Sequence, residues 1–111
     1  MYLPPSWETR FKQELEQAET ARLSGNEGRA RVCARRAAGI AAGEYLSRSG
    51  IRTPASGAYN HLRRLQELPG LRPEVYALVV HFTTRVSQDF RLPIDADLIA
   101  EARLLTSYLF E

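Results

Sequence analysis

Cysteine is almost missing from this chain of 111 residues, in which Cys33 stands alone. One thiol excludes an internal disulfide. It also excludes a cysteine-built structural zinc site, which needs several thiolates or a Cys₂His₂ set at motif spacing. Long apolar runs are missing as well: no stretch approaches the ~18 consecutive apolar residues of a membrane-crossing helix. Met1-Tyr2-Leu3-Pro4-Pro5 has no basic stretch followed by an apolar one. No export leader is therefore expected, the cytoplasm is the expected compartment, and no membrane partner is anticipated. The seven glycines form neither a strand-led G-x-G-x-x-G nor a P-loop, so no phosphate cradle of that kind is present. With only His61 and His81 available, and no histidine, cysteine or carboxylate three or four residues after either, no metal site and no cofactor are expected.

What is present is ordinary globular composition: 44% of residues are hydrophobic and 25% charged. That excludes disorder and collagen-like repeats, and the length suits one domain over residues 1–111. The net charge of +2 conceals a partition. Residues 22–72 carry ten arginines against Glu27, Glu44 and Glu67, a balance of +7, and the remainder carries −5. A basic and an acidic side of this kind can steer charged partners or pair with a second copy.

Glycine and proline divide the chain into five stretches, each with the 3.6-residue apolar period of an amphipathic helix. The expected helices cover about 6–24, 27–48, 57–68, 73–87 and 95–110. They predict an all-α, up-and-down antiparallel bundle of four to five helices. Ser6 is the expected N-cap of the first, whose stripe is Trp7, Phe11, Leu15 and Ala18. Gly25 and Asn26 suit a left-handed C-terminal cap. The second helix has a face of small residues, Ala30, Cys33, Ala34, Ala37, Ile40, Ala41 and Tyr45, which fits the most central helix or a self-association surface. The dimer face is expected at Ala30, Cys33, Ala37 and Ala41. Ala58, Leu62 and Leu65 mark the third helix; Val75, Leu78, Val79, Phe82 and Val86 mark the fourth, which opens on Pro73. Asp95 is the expected N-cap of the fifth, with Asp97 in its first turn and Ile94 stapled to Ile99. Its stripe is Leu98, Ala102, Leu105 and Leu109.

Glu44 falls among the apolar positions of the second helix, where a carboxylate needs an arginine, a tyrosine hydroxyl or a helix terminus to reach it. It is either a ligand-binding or acid/base carboxylate, or a structural pair. Arg29, Arg36, Arg63 and Arg64 are the candidate anion-binding residues. Arg29 and Arg36 share one flank of the second helix and Arg31 and Arg35 the other, the pattern of a solvated rim on either side of an apolar face. A nucleic-acid surface through this arginine-rich segment is the alternative; no aromatic interleaving or recognition-helix signature accompanies it. Cys33 on the small-residue face reads as a small hydrophobe.

The order of features resembles a HEPN domain, on the following residues: an aromatic-led helix entering Ala18-Glu19-Thr20-Ala21-Arg22-Leu23-Ser24-Gly25, an alanine-rich helix from Ala30 to Leu46, Asn60-His61-Leu62-Arg63-Arg64-Leu65, and a closing helix from Leu98 to Leu109. The resemblance spans Trp7 to Leu109. It implies a helical bundle that dimerises, often beside a minimal nucleotidyltransferase, and in some members a metal-independent RNase. The nuclease motif of that family, an arginine followed after four to six residues by histidine, is not matched: eight residues separate Arg52 from His61 and Arg72 from His81. His61 and His81 are thus the catalytic candidates of an RNase alternative. The leading expectation is a non-catalytic binding module that forms a homodimer or engages a protein partner.

Overall fold

The computed structural model describes residues 6–53, 55–84 and 96–111. They form five helices and, among the described residues, no strand: α1 (Trp7–Leu23), α2 (Glu27–Arg48), α3 (Ala58–Gln66), α4 (Pro73–Thr83) and α5 (Leu98–Leu109). Local chemistry sets the boundaries. The Ser6 hydroxyl accepts from the Thr9 amide at 3.2 Å, satisfying one of the unpaired first-turn donors of α1. At the other end Gly25, with φ +81°, lets its own amide donate to Arg22 O and the Asn26 amide donate to Ala21 O, the paired bonds of a glycine stop. Asn26 itself has φ −98°, so it is not left-handed as expected. Its side chain accepts from the Arg29 amide and starts α2.

α2 ends on the same device, with Gly50 at φ +69° and the Ile51 amide donating to Leu46 O at 2.9 Å. α3 is three residues shorter than expected, and Pro73 opens α4 at its first turn. Asp97, not Asp95, caps α5: its carboxylate accepts from the Ala100 amide at 3.3 Å. The expected roles of Val86 and Ile94, and the break at residues 89–93, fall outside the described residues.

α2 is the hub. It packs against α1, α3 and α5, while α4 closes the ring between α3 and α5. Helices adjacent in sequence touch, giving the up-and-down order expected. α5 starts where α1 stops, with Arg22 Nη1 3.0 Å from Asp97, and finishes where α1 starts, with the Phe110 and Trp7 rings 4.7 Å apart. It therefore runs antiparallel to α1 and in the same direction as α2. A helix with three neighbours must let each come close, and small side chains achieve this. Ala30, Cys33, Ala34, Ala37, Ala38, Ala41 and Ala42 are all fully buried. Apart from Leu46 near the end of α2, the large core side chains come from the surrounding helices: Leu62, Leu65, Val79, Phe82, Leu98 and Leu105 are at most 1% exposed. Each such side chain contributes about 1.5–3 kcal/mol on leaving water.

This burial corrects the expected dimer face. Ala30, Cys33, Ala37 and Ala41 are each 0% exposed within a single chain, so they form the interior and are covered by α2's own neighbours. The other reading of the small-residue face, a central helix, is the one observed. Ile40 and Tyr45, counted in the same face, are only half-buried because they stand at its edges.

Candidate functional site

The polar cleft of interest is created by two glycines. Gly39 and Gly43 lie one turn apart on α2, beneath the start of α3. A Cβ at Gly39 would overlap the backbone and side chain of Ala58, and one at Gly43 would come within 2.7 Å of His61 Nδ1. α3 therefore rests on bare α2 backbone. His61 Nδ1 lies 3.3 Å from Gly39 O. A carbonyl only accepts, so this contact assigns the proton to Nδ1 and leaves Nε2 as an acceptor in the neutral ring.

Beside this crossing, α1, α2 and α3 enclose an open cavity of about 480 Å³. α1 contributes Arg10 and Glu14, α2 contributes Arg36, Ile40 and Glu44, and α3 contributes His61 with the Gly57–Ala58 backbone. Glu14 Oε2 is buried and has no hydrogen-bond partner. Glu44 does have one: Arg48 Nε donates to its Oε2 at 2.8 Å, and its side chain stays 28% exposed. Of the partners the sequence left open, an arginine, a tyrosine hydroxyl or a helix terminus, it is an arginine, from the next turn of the same helix. Its guanidinium also lies 5.0 Å from the centre of the Phe110 ring. Arg10 and Arg36 are exposed, and neither makes an ion pair among the described residues.

The other arginine candidates do not join this cleft. Arg29 borders a separate groove with Gln13, Glu16 and Thr20 further along the α1 flank. Arg63 donates to Gln66, and Arg64 donates to Arg52 O and approaches Glu67 at 3.9 Å. Arg35 lies on the opposite flank, where its Nε donates to Phe82 O at 2.7 Å near the end of α4. Burial, helped by the charge of Arg31, lowers its pKa below the usual arginine value.

No family model, curated protein or solved structure matches the chain. The site has to be read from its own geometry.

His81 is held elsewhere, between α4 and α5. Its Nδ1 lies 2.7 Å from Glu101 Oε1, while Glu101 Oε2 is buried without a partner. The two catalytic candidates are therefore in different places, and only His61 reaches the cleft. Cys33 is a fully buried free thiol. Among the described residues no group of three histidine, cysteine or acidic side chains could hold a metal ion, and no helix is long and apolar enough to cross a membrane.

Sequence reasoning missed Arg10, Glu14, Gly39, Gly43 and Glu101. Three carried a usable signal. Glu14 sits three residues after Phe11 and four before Ala18, at the edge of the apolar stripe of α1, and Gly39-x-x-x-Gly43 leaves bare backbone on one face of an alanine-rich helix. Glu101 carried none, because it meets His81 across two helices separated by 20 positions in sequence.

Proposed function

We propose that this chain is a helical binding module without catalytic activity, and that the cleft between α1, α2 and α3 is its binding face. The observation that carries this reading is the convergence of five ionisable side chains of both signs, Arg10, Glu14, Arg36, Glu44 and His61, from three helices on one cavity. Concave sites with a few convergent polar groups are where small molecules and inserted side chains bind. The module is proposed as HEPN-like, acting as a homodimer or with a protein partner such as a minimal nucleotidyltransferase. The sequence of helices around an alanine-rich centre agrees with what that resemblance implies. Self-association would use exposed surface, not the interior of α2.

One observation favours a second reading, an RNase. Arg36 and His61 border the same cleft, so an arginine–histidine pair is assembled from positions outside the family's motif. Nucleic-acid binding through the arginine-rich segment has less support, because Arg22, Arg48, Arg64 and Arg72 each pair with a carboxylate.

The test is incubation with mixed single-stranded and structured RNA, without added metal, alongside the His61→Ala/His81→Ala double variant. The binding-module reading expects intact RNA in both. Cleavage that disappears in the double variant would overturn it in favour of the RNase. Sedimentation over a range of protein concentrations then decides whether the module is a homodimer.

A further inference from the structure

Resting on the binding-module reading, the cleft's own chemistry narrows what it binds. Glu14 Oε2 is buried and accepts no hydrogen bond, and a buried carboxylate oxygen in that state is destabilised until something donates to it. Arg10 and Arg36 offer the opposite charge: both are exposed cations that border the cavity, and neither has a carboxylate partner among the described residues. The start of α3 adds to it. No side chain caps that helix at Gly57, and its first-turn amides lend partial positive charge where Gly57 and Ala58 line the cleft. A purely cationic ligand would satisfy Glu14 but face two arginines. A purely anionic one would suit the arginines and leave Glu14 unpaired beside Glu44.

We infer that the cleft takes a small zwitterion, its ammonium group donating to Glu14 and its carboxylate or phosphate lying against Arg10 and Arg36. Half-buried Ile40 offers an apolar surface for the methylene groups between the two charges. A cavity of about 480 Å³ is within the range of small-molecule sites.

The probes are ω-amino acids of increasing length, glycine, 4-aminobutyrate and 6-aminohexanoate, with butylamine and butyrate as single-charge controls. Binding is followed through the backbone amide resonances of Gly39, Gly43, Ala58 and His61. At least one ω-amino acid should bind about tenfold more tightly than both single-charge controls, because two charge-assisted contacts form in place of one. Glu14→Gln keeps the shape of the side chain and should weaken that binding about tenfold, as should Arg36→Gln at an exposed position where folding is not at stake. Arg63→Gln, outside the cleft, should leave it unchanged. A single-charge control that binds as tightly as the best zwitterion, or affinity indifferent to both cleft variants, would overturn the inference. So would resonances that do not move with any ω-amino acid in a protein that leaves RNA intact, and in that case the binding-module reading survives. RNA turnover dependent on His61 would overturn both.

Discussion

Three glycines of α2 face three different environments, and each predicts a different response to the same added methyl. At Gly28 the nearest atom a Cβ would meet is Asn26 Oδ1 at 3.8 Å, so Gly28→Ala should gain the usual helix preference for alanine, about 0.5–1 kcal/mol. At Gly43 the obstacle is the His61 imidazole, which can turn aside at the expense of its contact with Gly39 O, so the gain should be cancelled or reversed. At Gly39 the obstacle is the Ala58 backbone, which cannot turn. Gly39→Ala should force α3 away from α2 and cost about 1–3 kcal/mol, the usual penalty of overpacking. Urea midpoints of the three variants should therefore rank Gly28→Ala above wild type and Gly39→Ala lowest. A midpoint for Gly39→Ala at or above wild type would contradict the close crossing of α3 on α2.

At the scale of the element, α5 is tied to the rest by its N-cap as well as by its apolar stripe. Asp97 accepts from the Ala100 amide and from Arg22, which also holds Glu27. Partial burial works against the Asp97 charge, but the Arg22 and amide hydrogen bonds outweigh it, and its pKa falls below the ordinary 3.8. The hydrogen bonds to Glu27 and Asp97 raise the Arg22 pKa in turn. A carboxylate with a depressed folded-state pKa adds stability above its unfolded value and loses it as pH falls through the folded one. Asp97→Asn keeps a capping oxygen but loses the charge, so the variant's stability should decline less steeply than wild type below about pH 4. Asp97→Ala removes the cap too and should cost about 0.5–2 kcal/mol at neutral pH. Thermal unfolding from pH 2 to 7 measures both; parallel acid limbs for wild type and Asp97→Asn would refute the pairing.

The elements were readable in the sequence because apolar period, cap and glycine stop agree with one another at α1 and α2, and apolar period and Pro73 agree at α4. Asp97 shows where this fails. Asp95 and Asp97 are equally good capping residues by type, and the choice between them depends on Arg22, a residue 75 positions away. The cleft failed for the same reason at larger scale. Glu14, Arg36 and His61 belong to separate helices, and nothing in one helix's period states which neighbour it will face.

For the whole molecule, the decisive property is that size is distributed unevenly, with small residues on the central helix and large ones around it. Enlarging the hub should therefore disturb three helix contacts at once. Ala37→Leu should cost about 1–3 kcal/mol through overpacking. The loss should be the same at every protein concentration, because Ala37 is buried within one chain. Its unfolding midpoint, followed across a hundredfold dilution, separates this from an interface residue, whose midpoint would drift with concentration. Phe82→Ala empties the largest fully buried side chain among the described residues and should cost about 3–5 kcal/mol.

The ring contact between Trp7 and Phe110, with the Arg48 guanidinium over both rings, brings the first and last helices together at one end of the bundle. Force applied through those two helices would pull against this clasp before it reached the hub. Fluorophores placed near Trp7 and Phe110 would act as a proximity gauge, bright in energy transfer while the clasp is shut and dark once α5 has peeled away from α1 with the interior still packed. The clasp would thus report early mechanical opening that bulk unfolding does not resolve.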